Sequence, residues 1–179
     1  MPTATSVMVT FLQSHQTLVR SSLPRETRFM AASLVLLCTD GSELALSAIR
    51  QGLDLLSPPD RIVVVSVASP IDPTLVTGTG FAGGVMTYDE QGDLLAAQRS
   101  AAQAHVDDTV TELGLDTAET MVVVGDAGHE ICALAETLPA SVVVLGTHGR
   151  SGIKRAIMGS TSDYVVRHCP CPVLVQGAG

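Results

Sequence analysis

The 179-residue chain contains no tryptophan and few other aromatic residues, with two Tyr and three Phe. Its interior must therefore be filled by aliphatic side chains, which is typical of a parallel sheet covered by helices on both faces. No apolar run approaches the ~20 residues that a membrane-spanning helix needs, so we expect no membrane partner. A chain of this length is expected to fold as one domain with a sizeable core.

Cysteines and basic residues are also scarce. Four Cys are too few for a disulfide framework, and their apolar neighbours are typical of reduced thiols in a cytoplasmic protein. Ten Lys and Arg against eighteen Asp and Glu give a formal net charge of -8. A chain this acidic repels a nucleic-acid strand, which argues against a nucleic-acid partner.

Residues 1–30 differ in composition from the rest of the chain. They are rich in Ser and Thr and contain a single acidic residue, Glu26. Three interpretations stay open: a disordered tail, a transit-peptide-like leader, or a gene start placed upstream of Met30. We favour the tail or the upstream start, so the expected domain spans residues 31–179.

Apolar runs of strand length alternate with segments of helical periodicity along that domain. Strands are predicted at 33–39, 62–67, 121–124, 141–145 and 173–175. Helices are predicted after Asp40, from about Leu95 to a stop at Gly114, after Asp126 and after Gly159. Residues 69–91 are predicted to form a long loop. The alternation predicts an α/β fold with a single doubly wound parallel sheet and helices on both faces.

The predicted strand at 141–145 leads into the glycine-rich segment 146–161, which ends in a Ser-x-x-Asp helix-start signal at 160–163. Glycines allow a close backbone approach to a ligand, and the N–H groups of such a loop and of a helix start attract anions. Arg150, Lys154 and Arg155 add local positive charge. The segment predicts binding of a small phosphorylated ligand; a flexible surface loop with solvated charges is the alternative.

The spacing Gly146-x2-Gly149-x9-Gly159-Ser160 resembles the signature of the universal stress protein (UspA) family in its ATP-binding branch. The strand, Thr-Asp and helix around Asp40 resemble the same family, although Cys38 stands where the family usually has Pro. The resemblance covers about residues 33 to 176. It implies a Rossmann-like sheet whose five strands, counted along the chain, lie in the order 3-2-1-4-5. The Asp40 and Gly146 regions would then meet in one crevice.

The resemblance also implies roles for single residues. Asp40 would contact ribose or adenine, with a helix N-cap as the alternative role, and the backbone of Val67 would contact adenine. The phosphates would be held by Gly146, Gly149, Gly159, Ser160 and Thr161. Arg150 and Lys154 are added to the phosphate contacts from their charge alone. The implied cofactor is ATP, with or without Mg²⁺, and no catalytic residue or protein metal site is predicted.

The implied function is that of an ATP-binding regulatory protein of the stress response, homodimeric through residues 173–175. A slow ATPase or another nucleotide-dependent enzyme, and a ligand-free dimeric scaffold, are the alternatives. For an enzyme, His129 and His148 are the conceivable bases, and Asp40 and Asp126 the conceivable magnesium ligands.

Two further clusters contain metal-ligating residue types. We interpret residues 105–108 (His-Val-Asp-Asp) as a solvated helix face, because neighbouring helical residues point in different directions. We interpret 168–172 (His-Cys-Pro-Cys-Pro) as structural packing, because its spacing is not that of a zinc site.

Overall fold

The computed structural model describes residues 7–10, 34–71, 87–147 and 158–177. Within these ranges a six-stranded sheet is covered by four helices. In chain order the elements are β1 (Val7–Thr10), β2 (Leu34–Cys38), α1 (Glu43–Leu55), β3 (Arg61–Ala68), α2 (Tyr88–Leu113), β4 (Glu119–Val124), α3 (Ala127–Thr137), β5 (Val142–Gly146), α4 (Ser160–His168) and β6 (Val173–Gln176). In these ranges no helix is both long and apolar enough to cross a membrane.

The strands lie in the order β1-β6-β5-β2-β3-β4. Those from β2 to β6 pair in parallel. Counted along the chain, these five lie in the order 3-2-1-4-5, which confirms the predicted doubly wound sheet. The predicted strand boundaries differ from the observed ones by at most two residues at either end.

The sixth strand was not predicted. β1 pairs antiparallel with β6, with Val7 opposite Gln176 and Thr10 opposite Val173. It lies within the segment 1–30 that we interpreted as a tail or an upstream start. The rest of that segment is outside the described residues, so the domain boundary near residue 30 stays a prediction. Strand β6 therefore has pairing partners on both sides within its own chain.

The two faces of the sheet are both buried. In β2, Leu34 and Leu36 belong to a core layer under α3 and α4, whereas Val35 and Leu37 belong to a layer under α1 and α2. All five residues of this strand are buried. This explains why its sequence is apolar throughout rather than alternating, as expected for a strand covered on both faces.

Helix α2 begins earlier than predicted. A capping box precedes it: the Glu90 N–H donates to Thr87 Oγ1 at 3.2 Å, and the Thr87 N–H donates to Glu90 Oε2 at 2.7 Å. The predicted loop 69–91 is therefore too long at its C-terminal end, since the helix starts at Tyr88; residues 72–86 lie outside the described part. The helix ends at Gly114 with φ +62°, which confirms the predicted stop.

Gly52 brings α1 into direct contact with the sheet, because a Cβ at this position would overlap the Val144 side chain. We expect Gly52→Ala to lower the free energy of unfolding by about 1–2 kcal/mol, since overpacking outweighs the higher helix propensity of Ala. Gly92→Ala on α2 is the matched control. Its Cβ would meet no atom, and we expect it to raise stability by about 0.5–1 kcal/mol. Urea unfolding measures both, and a stabilised Gly52→Ala variant would contradict this packing.

Candidate functional site

A cavity of about 250 Å³ lies at the carboxyl ends of β2 and β5. These strands are neighbours, but β2 leads to α1 on one face and β5 leads to α4 on the other. Doubly wound sheets bind ligands at such a switch point. The lining residues come from three strands and their ends and from three helices and their starts: Cys38, Thr39, Asp40, Ala45, Val65, Val67, Ala127, Ile131, Leu145, Gly146, Thr147, Gly159, Ser160, Thr161 and Ser162.

The structure brings together most of the residues that the sequence singled out for ligand binding. Those lining the cavity are Asp40, Val67, Gly146, Gly159, Ser160 and Thr161. Gly149 and Arg150, together with Lys154, lie outside the described residues. The two sequence features that pointed to a ligand, the Thr-Asp turn and the end of the glycine-rich segment, therefore share one cavity.

The carboxylate of Asp40 organises the turn between β2 and α1. Its Oδ1 accepts hydrogen bonds from the Ser42 N–H at 3.1 Å and from the Ser42 hydroxyl at 2.6 Å. Ser42 itself caps the helix, since its Oγ accepts from the Ala45 N–H at 3.2 Å. The alternative that Asp40 is the N-cap is therefore wrong. Among the described hydrogen bonds none involves Asp40 Oδ2, which leaves an acceptor at the cavity.

Two buried, hydrogen-bonded hydroxyl groups stabilise this turn. The Gly41 N–H donates to Thr39 Oγ1 at 3.1 Å, and the two hydroxyls of Thr39 and Thr109 lie 2.9 Å apart. Thr109 in turn donates to the His105 carbonyl at 2.7 Å, so the proton between the two hydroxyls belongs to Thr39. Thr109 was not predicted as part of the site. The local sequence around Thr109 does not indicate a contact with Thr39, which lies 70 positions earlier.

His105 lies against the same turn. An added Cβ at Gly41 would overlap the His105 ring, and Gly41 has φ +75°. The predicted solvated face is thus correct for Asp107 and Asp108, which are exposed, and wrong for His105, which is half-buried. The ring and the left-handed glycine together fix the path of the backbone just after Asp40.

On the other side of the cavity, α4 begins without a side-chain cap. Its N-cap is Gly159, and among the described residues no side-chain cap of its first turn is present. The helix start predicted from Ser-x-x-Asp is confirmed at Ser160, but not through a capping side chain: the Asp163 carboxylate pairs with Arg167 at 2.9 Å, which lowers the pKa of Asp163. Backbone N–H groups at an uncapped helix start are available to an anion.

Hydrogen bonds join the end of β5 to the start of α4. The Gly159 N–H donates to the Thr147 carbonyl at 2.8 Å, and the Ser162 hydroxyl donates to the same carbonyl at 2.9 Å. Residues 148–157 between them lie outside the described residues. The start of α4 is thus held next to the end of β5 by backbone contacts.

Of the conceivable bases and magnesium ligands, Asp40 lines the cavity and His148 lies outside the described residues, whereas His129 and Asp126 are engaged elsewhere. His129 Nδ1 lies 3.0 Å from the Tyr164 hydroxyl, and Asp126 Oδ1 accepts from the His129 N–H at 3.0 Å as the cap of α3. Neither residue lines the cavity. Over the ranges that the structure describes, no three His, Cys, Asp or Glu side chains are arranged to hold a metal ion.

A model of the universal stress protein family matches residues 33–176. The chain belongs to this family. Universal stress protein MJ0531 of Methanocaldococcus jannaschii is 27% identical over 141 residues, which are 79% of this chain and 79% of that protein. Universal stress protein Sll1388 of Synechocystis is 29% identical over 151 residues, covering 82% of this chain and 98% of that protein.

Solved structures of universal stress proteins and related chains share the fold. Hypothetical protein MJ0577 superimposes with a TM-score of 0.68 at 20% identity, covering 84% of this chain and 99% of that one. A universal stress protein in complex with cAMP superimposes with a TM-score of 0.51 at 23% identity, covering 81% and 97%. At such identities the likeness concerns the fold.

The Gly41 contact yields a test of the turn that carries Asp40. Gly41 and Gly114 both have positive φ, but only a Cβ at Gly41 would meet a side chain. We expect Gly114→Ala to cost roughly 1–2 kcal/mol of stability for its left-handed backbone, and Gly41→Ala to cost more. Replacing His105 by Ala should recover part of the cost of Gly41→Ala in a double-mutant cycle measured by urea unfolding. If Gly41→Ala and Gly114→Ala lowered stability equally, and the Gly41 and His105 substitutions showed no coupling energy, the His105 ring would not be in tight contact with the turn.

Proposed function

We propose that this universal stress protein binds ATP and acts in the cytoplasm as a nucleotide-dependent regulator of the stress response. The observation that carries the proposal is one cavity at the switch point that combines an uncapped helix start with the carboxylate of Asp40. The uncapped start suits phosphates and the carboxylate suits sugar hydroxyls, and a nucleotide contains both.

The remaining walls suit an adenine ring. Val65, Val67, Ile131 and Leu145 line the cavity with apolar side chains. Its volume of about 250 Å³ lies near the lower end of the range for small-molecule pockets, about 300–1,000 Å³. A planar base between aliphatic walls, with the phosphates toward α4, uses both parts of the cavity. The solved complex of a related fold with cAMP, an adenine nucleotide, supports this choice of ligand.

We propose a regulatory protein rather than a fast enzyme. Asp126 and His129, the described candidates for a metal ligand and a base, serve as a helix cap and a tyrosine partner. Asp40 is therefore the described carboxylate at the cavity, and Mg²⁺ that enters with ATP would be held chiefly by the phosphates. The protein's own contribution is then to bind and orient the nucleotide.

Asp40→Asn tests the sugar contact. Asn retains an oxygen that can accept from the Ser42 N–H, so the turn should survive while the charge is lost. We expect ATP affinity to fall roughly tenfold, because a hydrogen bond to a charged group contributes about 1.5–3 kcal/mol and a neutral one about 1 kcal/mol. Asp60→Asn is the control, since Asp60 is exposed at the opposite end of the sheet, just before β3.

Isothermal titration calorimetry on the wild type and both variants measures the affinities. Gly146→Val adds a second arm, because a branched side chain at the end of β5 should narrow the cavity and weaken ATP binding further. If the folded Asp40→Asn and Gly146→Val variants bound ATP with unchanged affinity, the nucleotide would not bind in this cavity. If Asp60→Asn weakened ATP binding equally, the loss of affinity would be due to the change in net charge alone.

We also propose that the domain forms a homodimer through the edge of β6 when β1 is not paired there. An unpaired apolar edge strand is satisfied by pairing with the same strand of a second copy. In the structure β1 occupies that edge, with four residue pairs from Val7–Gln176 to Thr10–Val173. The segment 1–30 and a second copy of the domain thus compete for one set of backbone groups.

Removing β1 tests this competition. We expect a chain that starts at Met30 to dimerise, and the full chain to remain largely monomeric at the same concentration, because β1 pairs with the edge from within the molecule. Light scattering over a dilution series distinguishes the two. Lysine substitutions at Val173 or Val175 are unsuitable, since both side chains are buried in the core and a charge there would unfold the domain. A monomeric Met30 chain would refute the proposed interface.

A further inference from the structure

All four cysteines of the chain meet in one part of the core. Cys38 ends β2, Cys132 lies in α3, Cys169 is the C-cap of α4, and Cys171 lies in the turn before β6. They belong to, or pack against, the same apolar layer under α3 and α4. Cys169 and Cys171 were predicted to serve structural packing, because their spacing is not that of a zinc site. Packing alone does not explain why the chain places every thiol it has at one point.

Cys169 and Cys171 lie close together, with their Sγ atoms 3.6 Å apart. Because one residue separates them, their Cα atoms are at most ~7 Å apart, and disulfides span Cα distances of about 4.4–6.8 Å. The two sulfurs need to approach by roughly 1.6 Å to reach the length of a disulfide bond, about 2.05 Å. The sequence separation and the short distance between the sulfurs are therefore compatible with closure to a disulfide.

The surroundings also favour a thiolate at Cys169. Hydrogen bonds from the Cys171 thiol, from the Cys171 backbone N–H and from the Cys132 thiol lower the pKa of Cys169 to about 7 against the opposing effect of burial. The hydrogen bond between the Cys171 thiol and Cys169 raises the pKa of Cys171. Burial raises the pKa of Cys38 and brings that of Cys132 to about 11. Cys169 is therefore the thiol that ionises near neutral pH, and the thiolate is the reactive form.

The burial of these two thiols allows only a small reagent to reach them. Cys169 is 6% exposed, and Cys171 beside it is half-buried. A peptide disulfide such as oxidised glutathione is too bulky to reach a sulfur this deep, whereas hydrogen peroxide is about the size of a water molecule or two. The oxidant that fits the site is therefore a small hydroperoxide.

We propose that Cys169 and Cys171 form a peroxide-reactive dithiol that closes reversibly to a disulfide. The Cys169 thiolate attacks one oxygen of hydrogen peroxide; the O–O bond breaks, a sulfenic acid forms, and the hydroxide that leaves becomes water by taking up the proton that the Cys169 thiol had released to solvent. The Cys171 thiol then loses its proton as its sulfur attacks the sulfenic sulfur. The S–S bond forms, the S–O bond breaks, and the second oxygen leaves as water. Two thiols and one peroxide thus become one disulfide and two waters.

The test treats the reduced full-length chain with hydrogen peroxide and follows its intact mass. We expect the loss of two hydrogens, mapped by proteolysis to the peptide that contains both Cys169 and Cys171, and reversed by dithiothreitol. The rate should rise with pH through a midpoint near 7, as the Cys169 thiolate forms. Peptides that contain Cys38 and Cys132 should stay reduced.

Single variants separate the roles of the four thiols. Cys171→Ser keeps the nucleophile but removes its partner, so a sulfenic acid at Cys169 should accumulate and be trapped by a 1,3-dione. Cys132→Ser and Cys38→Ala are the matched controls and should still form the disulfide, with circular dichroism confirming that each variant is folded. A disulfide that includes Cys132 or Cys38, an unreactive Cys169 in the folded wild type, or no trapped sulfenic acid in folded Cys171→Ser would each overturn the proposal. Nothing in this test depends on nucleotide binding.

Discussion

The structure depends on one constraint: two neighbouring parallel strands, β2 and β5, send the chain to opposite faces of the sheet. Since α1 and α4 leave in different directions, no helix fills the space above the two strand ends, and a cavity remains there. The same constraint places Asp40 and Gly146 side by side, although they are far apart in the sequence. Helix α4 then connects the cavity at its first turn with Cys169 at its last.

The fold of the parallel domain could be predicted because its signals are local. Strands buried on both faces are continuous apolar runs, and the helices between them carry their own periodicity and stops, such as Gly114. β1 was missed for the opposite reason: its four residues gain their structure from pairing with β6, more than 160 positions away. The start of α2 was missed although the capping box at Thr87 and Glu90 is present in the sequence.

The candidate site was predicted where it consists of backbone and spacing, and missed where it consists of contacts between elements. The glycine-rich segment and the Thr-Asp turn indicated five of the residues that line the cavity, and the family resemblance added Val67. The support under Asp40, which comes from Thr109 and His105 on α2, has no signal in either segment alone. The start of α4 was predicted correctly from Ser-x-x-Asp, but Asp163 pairs with Arg167 one turn later and does not cap the helix. Which partner a side chain contacts depends on the tertiary structure, and the local sequence does not show it.

The buried side chains of helix α2 are confined to part of its length. Ala102, Val106 and Thr109 all lie in its second half, whereas residues 88–101 are exposed or half-buried. The first half therefore buries less of its side-chain surface than the second. Such a helix has a gradient of opening free energy along its axis. Its early amides exchange with solvent through local fraying, and its late amides exchange only when the sheet beneath them opens, so a single helix spans two levels of cooperativity.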